Sequence, residues 1–247
     1  MIIKNLFNSR PSSKTDLLII LVDNSLRLKG YSLNLDNKYE GKISKTLKSN
    51  LFENKKGSYL IFTIHSKTKP KQIMLYSVGD KKDIIIEESD RLGGKICSIL
   101  NNKFSYISII CELYNNNSSF NEELAINVMH GFNLRAYNFN KYKFKTKSKT
   151  KKNLKQIEII TENISKLKKA YAPLEALKEG IYLTRNLVSE PANVLTPKVL
   201  AEEASKLKSL GIKVEVLKLP QIKKLKMGAL LGVAQGSVNE PRVVSMS

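Results

Sequence analysis

The chain predicts an α/β fold: an N-terminal mixed sheet flanked by helices, a linking helix, and the opening βαβ layers of a second, truncated α/β domain. Three observations predict it. Short β-branched or aromatic runs alternate with amphipathic segments from Leu17 to about Phe144. A tract with eight lysines and no acid, residues 141–155, interrupts that pattern. Helix and strand signals then resume at Tyr171 and stop inside a strand at Ser247. The domains expected are therefore 1–150, a linking helix at 151–172, and 173–247.

The first sheet takes its strands from LLIILV (17–22), YLIFTIH (59–65), IMLYSVG (73–79), YISIICEL (106–113) and LRAYNFNKYKF (134–144). The tract between Gly41 and Gly57 reads as a strand or helix that ends in a Lys-Gly turn. One helix starts with Ser89 as N-cap and carries Leu92, Ile96, Ile99 and Leu100 on one face; another runs from about Phe120 to His130 and stops at Gly131. The lysine tract alternates Lys with Tyr142 and Phe144, as a solvated edge strand does before a linker. The alternative, a phosphate-tracking arm, has too few aromatic platforms to be favoured. Leu154, Ile157, Ile160, Ile164 and Leu167 recur at helical spacing, which predicts a connecting helix of about four turns.

In the second region Pro173 marks a helix start, and Leu174, Leu177, Ile181 and Val188 form its buried stripe. SEPANVLTP breaks that helix. Thr196-Pro197 then opens another, carrying Leu200, Ala204, Leu207 and Leu210 and ending at Gly211. IKVEVL is a strand, Pro220 to Lys226 a short helix, GALLGVAQG (228–236) a buried strand, and RVVSMS the start of one more. That order is a βαβ unit, expected to be parallel and right-handed.

Composition excludes several classes. A chain of 247 residues with 42% hydrophobic and 26% charged residues is neither a disulfide miniprotein nor a disordered polymer. Leu17 to Val22 is too short for a secretory or membrane segment, and no later stretch qualifies, so a cytoplasmic location without membrane contact is expected. Cys97 and Cys111 belong to no CxxC pair and read as buried thiols. His65 and His130 are the only histidines, too few for a zinc site of ordinary His/Cys type. The net charge of +20 invites nucleic acid or another polyanion as a non-specific partner. Yet only six cations are Arg and 36 are Lys, and the bidentate fork that phosphate and base recognition favour is scarce.

Candidate chemistry is thin. Glu202 and Glu203 are adjacent on one helix and point to different faces. Asp80 and Asp83 flank a lysine pair in a turn, and Glu190 sits in a bend before Pro191. Gly228, Gly232 and Gly236 are spaced for close packing rather than for a phosphate cradle. No catalytic or metal-binding residue is named from these patterns, and no substrate-binding residue is identified.

Two strings carry a resemblance. Arg185-Asn186-Leu187-Val188-Ser189-Glu190-Pro191-Ala192-Asn193-Val194-Leu195-Thr196-Pro197, followed by MGALLGVAQGS (227–237) and Pro241-Arg242, resembles the leucyl (cytosol) aminopeptidase family. The segment ELAINVMHGFNLRAYNFNKYK is similar to the close of that family's N-terminal domain. The resemblance covers residues 120–247 by sequence and 1–119 by layout, with Ser189 where the family usually has Asn. It implies a macro-like N-terminal domain and release of N-terminal amino acids from peptides by two divalent metals, Mn or Zn. In the family these are held by a Lys, three Asp and a Glu in G-K-G-x-x-F-D-[ST]-G-G and N-T-D-A-E-G-R strings. Neither string occurs here; Gly93-Gly94-Lys95 is followed by Ile-Cys and reads as helix. The resemblance therefore implies a chain inactive alone and binding no metal itself, with a separate catalytic half or a homo-oligomer as partner and peptides as substrate only when completed.

Overall fold

A computed structural model describes residues 3–65, 71–100, 103–114, 117–143 and 153–247. The chain divides into two compact units, Met1–Glu179 and Gly180–Ser247.

The first unit is built on six strands: β1 (Lys4–Asn8), β2 (Leu17–Val22), β3 (Tyr59–Ile64), β4 (Lys71–Ser77), β5 (Tyr106–Ile110) and β6 (Gln156–Ile160). They lie in the order β1-β6-β5-β2-β4-β3, all neighbours parallel except the antiparallel edge pair β3 and β4. The central strand β2 pairs Ile19 with Ile109 of β5 and with Met74 of β4. Its six residues are all buried, because both faces of the sheet are covered and a continuous apolar run is what such a strand requires. Leu17, Ile19 and Leu21 enter one core, and Leu18, Ile20 and Val22 the other.

Helices α1 (Gly30–Lys38) and α2 (Lys42–Leu47) supply Leu35, Ile43 and Leu47 to the second of these cores. Helices α3 (Ser89–Leu100), α4 (Ser118–Ala136) and the first turns of α5 (Ile164–Ser189) supply Ile96, Val128, Phe132 and Tyr171 to the first. Gly93 and Gly131 let α3 and α4 touch along their backbones. A Cβ on Gly93 would lie 1.9 Å from the Val128 carbonyl oxygen, and one on Gly131 would lie 1.7 Å from that of Asp90.

Several expectations change here. The α4 helix runs through Gly131, which is a contact glycine and not a terminator, and continues to Ala136. The strand expected over 134–144 is absent among the described residues: Phe132 belongs to the helical face buried in the core, and residues 137–143 are irregular. Residues 144–152 of the lysine tract lie outside the described residues. The linking helix expected at 151–172 is part strand. Ile157, Ile159 and Ile160 are buried because β6 sits between β1 and β5, so their helical spacing is a coincidence of a two-sided apolar strand. The helix begins only at Ile164, and Pro173 lies inside it. Strand β1 and helix α1 had no counterpart in the sequence reading; the Gly41–Gly57 tract resolves as α2 and a turn.

The second unit contains α6 (Pro197–Lys206), β7 (Val214–Leu217), α7 (Leu219–Lys224), α8 (Gly228–Ala234) and β8 (Val243–Met246). Thr196 caps α6 as its sequence predicts, its hydroxyl accepting from Val199 N–H at 3.4 Å, and Gly211 ends the following turn at φ +88°. The strand expected at 228–236 is α8, and the parallel βαβ unit is replaced by an antiparallel pair, with Val216 opposite Val244. A seven-residue apolar run satisfies its own backbone as helix when no strand lies alongside it. Leu177 of α5's first part, and Val188 and Val233 of the second unit, are exposed, the last at 85%.

Candidate functional site at the carboxyl ends of the strands

In a parallel sheet, ligand sites form beyond the carboxyl ends of strands where successive connections leave in opposite directions. Here β2 leads through α1 and α2 on one face, and β5 leads through α4 on the other. The loops after β2 and β5 meet at that point.

Asp23, the residue after β2, is buried and carries the first network. Its carboxylate accepts from the Ser25 backbone N–H at 2.8 Å, from the Ser25 hydroxyl and from Lys29 Nζ at 3.3 Å. Lys81 lies 3.7 Å from the same carboxylate and 4.4 Å over the Tyr114 ring. Burial pulls the Asp23 carboxyl upward, but the Ser25 hydrogen bonds and Lys29 outweigh it and leave it below the usual range. Lys29 also donates to the Leu113 carbonyl, which ties the loop after β2 to the loop after β5.

Glu112, two residues past β5, faces the N-terminus of α1. Its Oε2 accepts from Ser32 N–H at 3.4 Å, a position that the helix dipole favours for an anion. Burial nevertheless pushes this carboxyl up to about 6, against the opposing backbone hydrogen bonds of Ser32 and Tyr31. Glu112 lines a cavity of about 280 Å³ with Gly30, Tyr114, Thr161 and Glu162. Across it, Glu122 is held by Asn163 at 2.7 Å and Lys166 at 2.5 Å. Asn121 pins the rim by accepting from Leu113 N–H at 2.9 Å and donating to the Tyr114 carbonyl at 2.7 Å. The arrangement offers one carboxyl able to change protonation near neutrality beside a pocket large enough for a small molecule.

None of these residues was singled out from the sequence. The available signal is position: Asp23 directly follows β2 and Glu112 lies two residues past β5, at the carboxyl ends where parallel strands place their functional groups. The residues that were singled out fall elsewhere. Glu202 pairs with Lys198 at 4.0 Å and Glu203 with Lys206 at 2.5 Å, two separate surface pairs. Asp80 caps its own turn by accepting from Lys82 N–H at 3.0 Å. Gly93-Gly94-Lys95 is helical within α3. A Cβ on Gly228, Gly232 or Gly236 would meet nothing within 4 Å, so those glycines mediate no close packing here. Cys97 and Cys111 are free thiols; burial pushes Cys97 up to about 11 and Cys111 higher still. Among the described residues no group of three or more His, Cys, Asp or Glu could hold a metal ion, so they do not fit a two-metal centre. No described helix is long and apolar enough to cross a membrane.

Comparison with known proteins agrees with the two-part organisation. Residues 19–146 match the family model described as the cytosol aminopeptidase family, N-terminal domain, and residues 182–247 match that family's catalytic domain. A probable cytosol aminopeptidase of Rickettsia bellii is 33% identical over 245 residues, 97% of this chain and 48% of the relative. One from Rhodopseudomonas palustris is 35% identical over 204 residues, 83% of this chain and 41% of the relative. The chain thus spans about half the length of the curated relatives it matches. A mutant of tomato leucine aminopeptidase superposes with a TM-score of 0.72 at 23% identity, covering 99% of this chain and 50% of that one. The bottromycin maturation enzyme BotP in complex with Mn gives 0.66 at 17% identity, covering 94% and 45%. These two share the fold. With a domain model matched across more than half of its residues, the chain belongs to the cytosol aminopeptidase family.

Proposed function

We propose that these 247 residues form the amino-terminal domain and the opening of the catalytic domain of an aminopeptidase, which releases N-terminal amino acids from peptides in the cytoplasm. The hydrolytic centre, with two divalent metals such as Mn or Zn, is supplied by residues outside them. One observation carries this reading: the family match extends over 97% of the chain, yet no described cluster of three potential ligands could hold a metal. No catalytic step is assigned to a residue of this chain.

On this reading the domain boundary falls along α5, and residues 173–247 belong to the catalytic portion. The exposure of Val188, Leu210, Val233 and Val238 in the second unit supports a remainder that covers them, in the same polypeptide, in a separate one or in a further copy of the chain. The test is hydrolysis of leucyl-p-nitroanilide with added Mn or Zn. The 247-residue chain alone is expected to give the metal-only background, and a mixture with the metal-bearing portion of a related enzyme to give turnover. Turnover by the chain alone overturns the proposal.

A further inference from the structure

A second cavity, of about 150 Å³, lies at the opposite end of the first sheet, beside the amino ends of β2 and β4. It is framed by the loop after β1, which contributes Arg10 and Pro11, by Lys71 and Gln72 at the start of β4, and by one face of α1. That face presents Tyr31, Leu35, Lys38 and Tyr39, whose four- and three-residue steps place them in one row.

The polar chemistry of this cavity is one-sided. Arg10, Lys38 and Lys71 take part in no ion pair among the described residues, whereas Lys29, Lys81, Lys166 and Lys178 each have an acidic partner. No Asp or Glu lines it among the described residues. Tyr39 is buried over most of its surface, but its hydroxyl and that of Tyr31 are open to solvent at the cavity, and neither has a hydrogen-bond partner among the described residues. Burial pushes both phenols up, so they stay protonated and remain donors. Thr15 is the one lining hydroxyl already engaged, donating to Glu158 at 2.9 Å.

The loop that carries Arg10 is held in place by that same carboxylate. Glu158 of β6 is 1% exposed and accepts from Asn8 Nδ2 at 2.7 Å, Ser12 N–H at 2.8 Å and Ser108 Oγ at 2.5 Å besides Thr15. Its acceptor capacity is used by these donors; Glu158 and Glu112 both act on Tyr31, and the three lining cations outnumber them. Leu18, Leu35 and Pro11 supply an apolar wall.

We propose that this cavity binds a small phosphate monoester, with the phosphate held by Arg10, Lys38, Lys71 and the two tyrosine hydroxyls and the organic part against Leu18 and Leu35. A planar guanidinium with two ammonium groups and two neutral donors matches an acceptor-only dianion, and the space holds such a head with a short body. The site shares no lining residue with the pocket around Glu112, so it is a binding site for an additional ligand of this chain.

The test is titration of the ¹⁵N-labelled chain with phenyl phosphate at constant ionic strength, followed by amide chemical shifts, with inorganic phosphate and benzoate as comparators. Saturable shifts at residues 10, 38, 71 and 72 are expected, with phenyl phosphate tighter than either comparator. Arg10→Ala is expected to weaken binding about tenfold, as loss of a charge-assisted hydrogen bond does. Arg10→Lys is expected to be intermediate, and Lys208→Ala, at an exposed lysine of the second unit, unchanged. Arg10 is exposed, so its variants keep the fold, and their circular dichroism and melting temperature verify it. Shifts that grow without saturating over lysines of both units overturn the proposal, as does an Arg10→Ala variant that binds like the original chain. Benzoate binding as tightly as phenyl phosphate overturns the phosphate assignment.

Discussion

The carboxylate of Glu112 occupies the space into which a side chain at residue 30 would project: an ideal Cβ on Gly30 lies 2.7 Å from Glu112 Cδ. Gly30 has φ +50°, so its backbone favours glycine, and a Cβ there would also require the Glu112 carboxylate to shift. The start of α1 and the loop after β5 are therefore fitted to one another at a single residue.

Replacing Gly30 with Ala should destabilise the first unit by about 1–2 kcal/mol, from the left-handed backbone together with the displaced carboxylate. Urea unfolding followed by circular dichroism checks it. A variant as stable as the original chain would show that Glu112 swings aside at no cost.

The charge of Glu112 gives a pH dependence of defined sign. Its folded carboxyl sits at about 6, above the ordinary value of 4.5, so the folded chain holds this proton more tightly than the unfolded chain does. The stability contributed is present in full below about 4.5 and is lost as pH rises through 6. Glu112→Gln, which keeps the shape and cannot ionise, should thus melt higher than the original chain at pH 7.5 and close to it at pH 4.5. Equal melting temperatures across that range would contradict the assignment.

Two neighbouring positions in one interface should respond in opposite directions. Gly131→Ala drives a methyl into the Asp90 carbonyl and should cost about 3 kcal/mol, since the obstacle is backbone of a packed helix. Gly94→Ala, whose Cβ would lie 3.8 Å from the nearest atom, should instead stabilise α3 by about 0.5–1 kcal/mol. Denaturation midpoints of the two variants decide it; two losses of similar size would mean that the helices cross less closely than the geometry states.

What could be read from the sequence follows from how locally each signal is determined. LLIILV is legible as a strand because its six large apolar residues are bounded by Asp16 and Asp23 at the length of a strand and too short for most helices, and Thr196-Pro197 opens a helix because cap and first turn are adjacent in sequence. Residues 156–160 and 228–234 take a form other than the one their spacing predicts because a short apolar run has no period of its own and takes its form from what lies beside it. Gly131 looked like a stop signal, and only the approach of α3 shows why a glycine stands mid-helix. The candidate site was illegible for a related reason. Asp23, Lys29, Lys81 and Glu112 come from separate stretches of the chain, and none of them belongs to a spaced motif.

The sheet's first strand is also its last to be joined. Asn8 of β1 bonds Glu158 of β6 across a separation of 150 residues, and β1 has no other partner in the sheet among the described strands. On a translating ribosome, at about 5–20 residues per second, β1 emerges roughly 8–30 seconds before the strand that receives it. Leu6 and Phe7 must wait that long with an open hydrogen-bonding edge, which leaves β1 open to pairing with another chain until β6 arrives.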